Sequence, residues 1–385
     1  MLVYILSIVL LALCTITYYP AVLNSGGSFV SLGVSATAVM LLVISFFKNY
    51  PVHQFIKKYL SISFFIVLFS FLFMFIKGEL YFGEIMEILI PLFMLFIGFQ
   101  STLSHKQYLI ILSCYVFCVI IVSYVTIMTN IGGFRIESQY LVTVKNSLGG
   151  MLALAGVISV FGIKILKENK LKIISTFAFL LIMLFILTIR ARLALLSMLF
   201  VSSLIYKQGI KTQTIISCLL PCCIFAILKY FTTGNFITEN IDQFVFDSLF
   251  LNKTEDLTSG RTDLIFVALS VIEQSPLWGN LTLQTDLAWI HNYSMLKLSS
   301  FGLLGASPWI ILYFYIIVFI VKKYRHIKFL KFSNLGVFLL MVVFIISLGE
   351  PTYPYGPGTV SIIAYYFFGV FLNNEMINKH INKIL

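Results

Sequence analysis

Charge is what this sequence has least of. Only 11% of its 385 residues are Asp, Glu, Lys or Arg, against about 25% in an ordinary soluble domain. That shortage excludes a large solvated surface. Acidic residues are the scarcer sign, 15 beside 26 basic ones, for a net charge of +11. No aromatic-interleaved basic patch accompanies the excess, so nucleic acid is excluded as a partner. Lys and Arg then read as topology signals beside a lipid bilayer. The one long polar stretch, 233–300, contains no cysteine, which excludes a disulfide framework or a zinc site there. Cys14, Cys114, Cys118, Cys218, Cys222 and Cys223 all fall in apolar runs, where a free thiol behaves as a small apolar group. No Walker or dinucleotide-type glycine loop is present, so no cofactor is expected, and no metal site is expected either. The first 19 residues lack a basic stretch before their apolar run and a small-x-small site after it. They read as a first membrane span rather than a signal peptide.

What the chain does have is apolar surface: 60% hydrophobic residues, including 38 Phe and 20 Tyr. A span needs about 20 apolar residues. Runs of this kind lie at 2–19, 28–47, 59–76, 82–99, 108–129, 147–165, 173–189, 193–206, 214–232, 301–321, 333–348 and 358–372. The expected fold is all-α: a single integral-membrane domain of about 12 transmembrane helices, with an extracytoplasmic loop at 233–300 carrying short helices. The 173–206 stretch could be one long helix or two. Arg190 and Arg192 in mid-bilayer would cost at least about 2.5 kcal/mol each, so a break there is preferred.

With the N-terminus in the cytoplasm, seventeen of the 26 basic residues fall on the cytoplasmic side. The positive-inside rule therefore places both termini inside and 233–300 outside. Inside, the basic residue is nearly always Lys. Outside stand Arg135, Arg190, Arg192 and Arg261, four of the five arginines. Arginine is suited to bidentate recognition of phosphate or carboxylate, so an anionic ligand is expected on the outer face.

Within the outer segment, 233–260 is acidic with an apolar face suited to a short interfacial helix. Ser259 has the character of an N-cap, with Arg261 opening a helix to about Glu273 whose apolar face is Leu264, Ile265, Ala268, Leu269 and Ile272. A bound anion would account for an arginine at a helix N-terminus; pairing with Asp256 or Glu255 is the plainer alternative. Ser275 to Gly279 breaks the helix. His291-Asn292 follows, just before the run that enters the membrane at Phe301, and histidine is the commonest general acid or base. Glu84 and Glu87 share one face of the fourth span, and intramembrane carboxylates invite a functional reading. Tyr353 and Tyr355, in the Pro/Gly-rich loop after Glu350, are suited to stacking on sugar rings or to anchoring at the interface.

Three patches, in order, carry a resemblance. They are Thr188 to Leu196 around Arg190 and Arg192; Ser259-Gly260-Arg261 with Pro276-Leu277-Trp278-Gly279; and His291-Asn292-Tyr293 to Leu296, with Gly302 and Gly305 behind. Asn146, entering a middle span, is a fourth point of likeness. Together they resemble the bacterial O-antigen polymerase and O-antigen ligase superfamily of integral-membrane glycosyltransferases. The serine usual before the first arginine is absent, so Arg192 after Ala191 is the better match. The resemblance covers roughly residues 145 to 310. It implies metal-independent glycosyl transfer from an undecaprenyl-diphosphate-linked oligosaccharide at the outer face of the bacterial cytoplasmic membrane. It also implies a chain-length regulator protein as a partner. Arg192 and Arg261 would bind the diphosphate, helped by Arg190 and Arg135. His291 would act on the acceptor hydroxyl, with Asn292 in support. A polymerase is the favoured member, a ligase acting on lipid A core the runner-up, and a lipid-linked sugar flippase the alternative from another class.

Overall fold

The computed structural model describes residues 2–19, 22, 28–46, 52–77, 82–101, 103–130, 142–189, 191–207, 261–280, 290, 292–327, 330–350, 353–355 and 359–384. Among these the secondary structure is helical throughout, with no strand. In chain order the helices are α1 Leu2–Ile16, α2 Ser28–Phe46, α3 Gln54–Lys77, α4 Phe82–Gln100, α5 His105–Asn130, α6 Val142–Ile165, α7 Asn169–Thr188 and α8 Arg192–Lys207. Then come α9 Arg261–Gln274, α10 Tyr293–His326, α11 Leu335–Ile346 and α12 Thr359–Ile384. The expected span at 214–232, the acidic stretch 233–260, and Cys218, Cys222 and Cys223 lie outside the described residues.

Six described helices are long and apolar enough to cross a membrane: Gln54–Leu72, His105–Thr129, Asn146–Ile165, Asn169–Thr188, Tyr293–His326 and Val360–Ile377. Shorter apolar helices accompany them. This is a helical membrane protein, the form in which a segment can satisfy most of its own backbone polar groups, as a bilayer interior requires. The chain breaks between α7 and α8: α7 ends at Thr188, Ile189 makes a turn, and α8 starts at Arg192. The α10 helix begins at Tyr293, eight residues before the apolar run suggested.

The helices group into two compact units. One comprises Met1–Leu41, Leu103–Leu257 and Ile327–Phe338. Its centre is α6, whose residues from Leu148 to Phe161 are nearly all buried. A helix apolar on every side has to be enclosed, and here α5, α7 and α8 pack on α6. Small residues let them approach closely. Gly149 faces Ala191 and Ala194, and Gly156 lies against Met198. The Tyr115 hydroxyl reaches back to the Met151 carbonyl at 3.3 Å.

The other unit comprises Leu42–Thr102, Thr258–His326 and Leu339–Leu385. Its core is α12 packed along α4. Two glycines make this possible. A Cβ at Gly98 would run into the Tyr366 carbonyl, and one at Gly369 into the Leu95 carbonyl and the Phe99 amide nitrogen. The two backbones therefore touch, and aromatic side chains fill the space beside them, with Phe55 set between Phe319 at 4.5 Å and Phe368 at 5.3 Å. The obstructing atoms are backbone and cannot rotate away. Gly98→Leu is therefore expected to lower stability by at least about 1–3 kcal/mol, the usual cost of overpacking. Thermal unfolding of purified Gly98→Leu and Gly369→Leu in detergent, read beside the exposed control Leu72→Ala, measures this.

Candidate functional site

The second unit holds a polar centre within apolar surroundings, organised by a helix that is broken. Residue Gly302 of α10 has φ 62° and ψ −174°, a conformation suited to glycine. The break frees backbone groups that must find partners. The turn after α9 supplies them. Leu303 donates its N–H to the Pro276 carbonyl at 2.8 Å and Leu304 to the Leu277 carbonyl at 3.2 Å, while the Asn280 N–H donates to the Ser299 carbonyl at 2.8 Å. Gly279, at φ 67°, sits against Gly302 so closely that a Cβ on either would strike the other segment's backbone.

The start of α10 is clipped as firmly. Asn292 is its N-cap residue: its Oδ1 accepts from the Met295 N–H and its Nδ2 donates to the Leu348 carbonyl, both at 3.1 Å. Tyr293 donates its N–H to the Ser347 carbonyl at 3.4 Å. Ile290 is buried against Ala268 and Val271 of α9, with Met295 and Leu296 beside them.

Between these two anchor points lies Lys297. Its Nζ is 2.8 Å from Glu87 Oε2 on α4, and both residues are buried, at 2% and 8% exposure. Three rings surround the ammonium: Trp309 at 4.5 Å, Tyr293 at 5.3 Å and Phe301 at 5.9 Å. Tyr293 and Phe301 lie one turn either side of Lys297 on the same helix face. Trp309 is different. On an unbroken helix it would be about 18 Å further along the axis, so its place over Lys297 depends on the turn at Gly302.

Tyrosines extend the cluster. Tyr293 meets Tyr355 at 5.4 Å and stacks with Tyr313 at 6.1 Å. Tyr355 in turn stacks with Tyr365, and Tyr365 lies edge-on to Tyr59. The Tyr313 hydroxyl and Ser347 Oγ are 2.9 Å apart. Burial, with Tyr59, Tyr313 and Glu87 nearby, holds the Tyr355 phenol well above its ordinary range. It stays protonated. Chemically the centre is a neutralised ion pair lined by rings and hydroxyls.

The residues singled out from the sequence fall as follows. Arg261 is the first residue of α9, matching the helix expected from 261 to about 273; the placement of its side chain lies outside the described set. Arg192 begins α8 and is exposed. Asn292 caps α10. Tyr353 and Tyr355 are buried, at 3% and 0% exposure, with Tyr355 packed in the ring cluster. His291, Arg190 and Arg135 lie outside the described residues, as does the side chain of Glu84. On α9, Ala268 faces the protein as expected, but Val271 takes the other buried position and Ile265 and Leu269 are exposed. Sequence reasoning singled out Glu87 and missed Lys297 as its partner. The available cue was a lysine one helical turn from aromatic residues on both sides. No family model matches the chain, and no curated protein is significantly similar to it.

Removing one partner of a buried ion pair strands the other charge, at a typical cost of about 3–5 kcal/mol. Glu87→Leu and Lys297→Met are each expected to be destabilised on that scale. The double variant should recover most of the loss, since it strands no charge. Unfolding midpoints of the parent, the single variants and the double variant in one detergent give the coupling. Additive losses would show that the pair does not act as a pair.

Proposed function

We propose that the protein is a surface-polysaccharide repeat-unit polymerase of the O-antigen type. It moves a glycan from undecaprenyl diphosphate to an acceptor glycan at the outer face of the bacterial cytoplasmic membrane. On this reading the chain has about twelve spans, both termini are cytoplasmic, and the 233–300 stretch is extracytoplasmic. The reading starts from the three sequence patches resembling O-antigen polymerases and ligases. One structural observation supports it best: α9, opened by Arg261, packs through Ala268 and Val271 onto Ile290, the residue before His291-Asn292. Arg261 and Ala268 are two helical turns apart, roughly 10 Å along the axis, a length on the scale of a sugar diphosphate. The segments bearing the arginine and the histidine are thus joined by a packed contact.

The chemistry follows from charge. The acceptor hydroxyl attacks the anomeric carbon, and the bond from that carbon to the phosphate oxygen breaks. The leaving diphosphate gains negative charge, which Arg261 and, by the resemblance, Arg192 would offset, with Arg190 and Arg135 assisting. His291 takes the proton from the attacking hydroxyl. Asn292, bonded on both sides of its amide, holds the backbone on which His291 stands. Tyr355 packs in the ring cluster beside this stretch, and with Tyr353 it stands on the acceptor side of the reading.

Gel analysis of glycans from a strain in which each variant replaces the parent gene tests this. Arg261→Ala and His291→Ala should each lower chain extension by about 10²- to 10³-fold, the usual loss on removing one charge-stabilising group, leaving single-repeat product. Normal length ladders from either variant at matched protein level would overturn the residue assignment. In the gene deletion, single-repeat product indicates a lost polymerase, whereas polymer stranded on the lipid carrier indicates a lost ligase.

A further inference from the structure

The α9 helix is apolar on almost every side. From Leu264 to Ile272 its only polar residue is Ser270, whose hydroxyl turns back to the Val267 carbonyl. Yet the protein buries only Ala268 and Val271 there. Ile265, Phe266, Val267 and Leu269 are exposed, Phe266 to 65%. The turn that follows adds Leu277 and Trp278, at 49% and 43%. A helix that is apolar all round is enclosed by protein or by lipid, and protein encloses one side of this one.

The turn also fixes how deep this surface lies. Through the Pro276 and Leu277 carbonyls it is bonded to Leu303 and Leu304 of α10. From Leu303 to Val321 this helix runs about 28 Å, close to the hydrocarbon thickness of a bilayer. Its exposed residues along that length are apolar: Leu303, Leu304, Ile311, Phe314, Val318 and Val321. At its far end Lys322, Lys323 and Arg325 mark one interface. Leu277 and Trp278 therefore lie at the opposite boundary of the hydrocarbon, where tryptophan is enriched. The uncovered face of α9 continues the lipid-facing surface of α10.

We propose that α9 and the Pro276–Trp278 turn are an interfacial foot sunk into the leaflet opposite the Lys322–Arg325 cluster, and that phospholipid acyl chains cover their exposed face. The protein covers one apolar face of the helix, at Ala268 and Val271, and the bilayer supplies the surface for the other. One consequence is that Arg261 begins a helix lying at lipid-headgroup depth. The proposal stands apart from the diphosphate reading of that arginine, because it concerns where the helix lies, whatever the arginine binds.

Full-length protein reconstituted in phosphatidylcholine vesicles, with and without bromine on the acyl chains, tests it by fluorescence. The parent and Trp278→Phe are compared, so the Trp278 emission is read as a difference and Trp289 and Trp309 stay in place. Phe266→Trp in the Trp278→Phe background gives a second probe, on α9. Both signals should lose about half their intensity or more in brominated vesicles, most strongly with bromine near the headgroup end of the chains. Insensitivity to brominated lipid at either position, with quenching by water-borne iodide or without it, overturns the proposal.

Discussion

Lys297 is a cation in a protein made for lipid, and the arrangement of the second unit follows from keeping it solvated. An isolated ammonium in such surroundings would lose its proton or draw water in. Here Glu87 on α4 neutralises it, and Tyr293, Phe301 and Trp309 present their faces to it. Each partner arrives by a different route. Glu87 is held by the close packing of α4 on α12, which depends on Gly98 and Gly369. Tyr293 is held by the cap at Asn292. Trp309 reaches the ammonium because α10 folds back at Gly302, and Gly302 can do so because the turn after α9 takes up the freed N–H groups. A change at any of these points reaches the same charge.

Such a centre contributes less to stability than to definition. The desolvation cost of two buried ions is largely cancelled by their attraction, so apolar replacements of equal volume could hold the helices together as well. What an ion pair adds is a single register between α4 and α10, because one helical turn of slippage separates the charges. That register sets where the first turn of α10 stands, and with it Asn292 and the stretch leading to His291. The packed contact between α9 and Ile290 extends this definition to the segment that begins at Arg261. In the proposed glycosyl transfer, positioning carries much of the work, since the donor arrives already activated and the arginines and the histidine act through distance and charge.

The exposed face of α9 and the break in α10 share one cause. A helix interrupted within a membrane needs backbone partners, and here they come from a neighbouring segment that therefore lies at the same depth. The same hydrogen bonds that satisfy Leu303 and Leu304 hold Leu277 and Trp278 at the edge of the lipid. A stretch that reads from its polar flanks as a solvated loop is, in its α9 portion, apolar from Leu264 to Ile272 but for Ser270.

Much of the helical framework could be read from the sequence, because spans are set by a local property: a run of apolar residues about as long as a bilayer is thick. The break between α7 and α8 was legible for a related reason, since Arg190 and Arg192 could not sit in mid-bilayer at low cost. So was the helix opened by Arg261, from its cap and its breaker. The Lys297–Glu87 pair was not. Its members are 210 residues apart, and each looks, within its own run, like a stray charge near the end of a span. The early start of α10 was hidden because Lys297 lowers the local hydropathy that marks a span, a penalty that disappears once Glu87 neutralises it. The position of Trp309 depends on one positive φ and on two carbonyls from another segment, and no periodicity records either. The sequence determined that the chain is helical, suited to a membrane, and where most helices end. Only the tertiary structure decided which charges meet, because their meeting depends on close packing between segments distant in the chain.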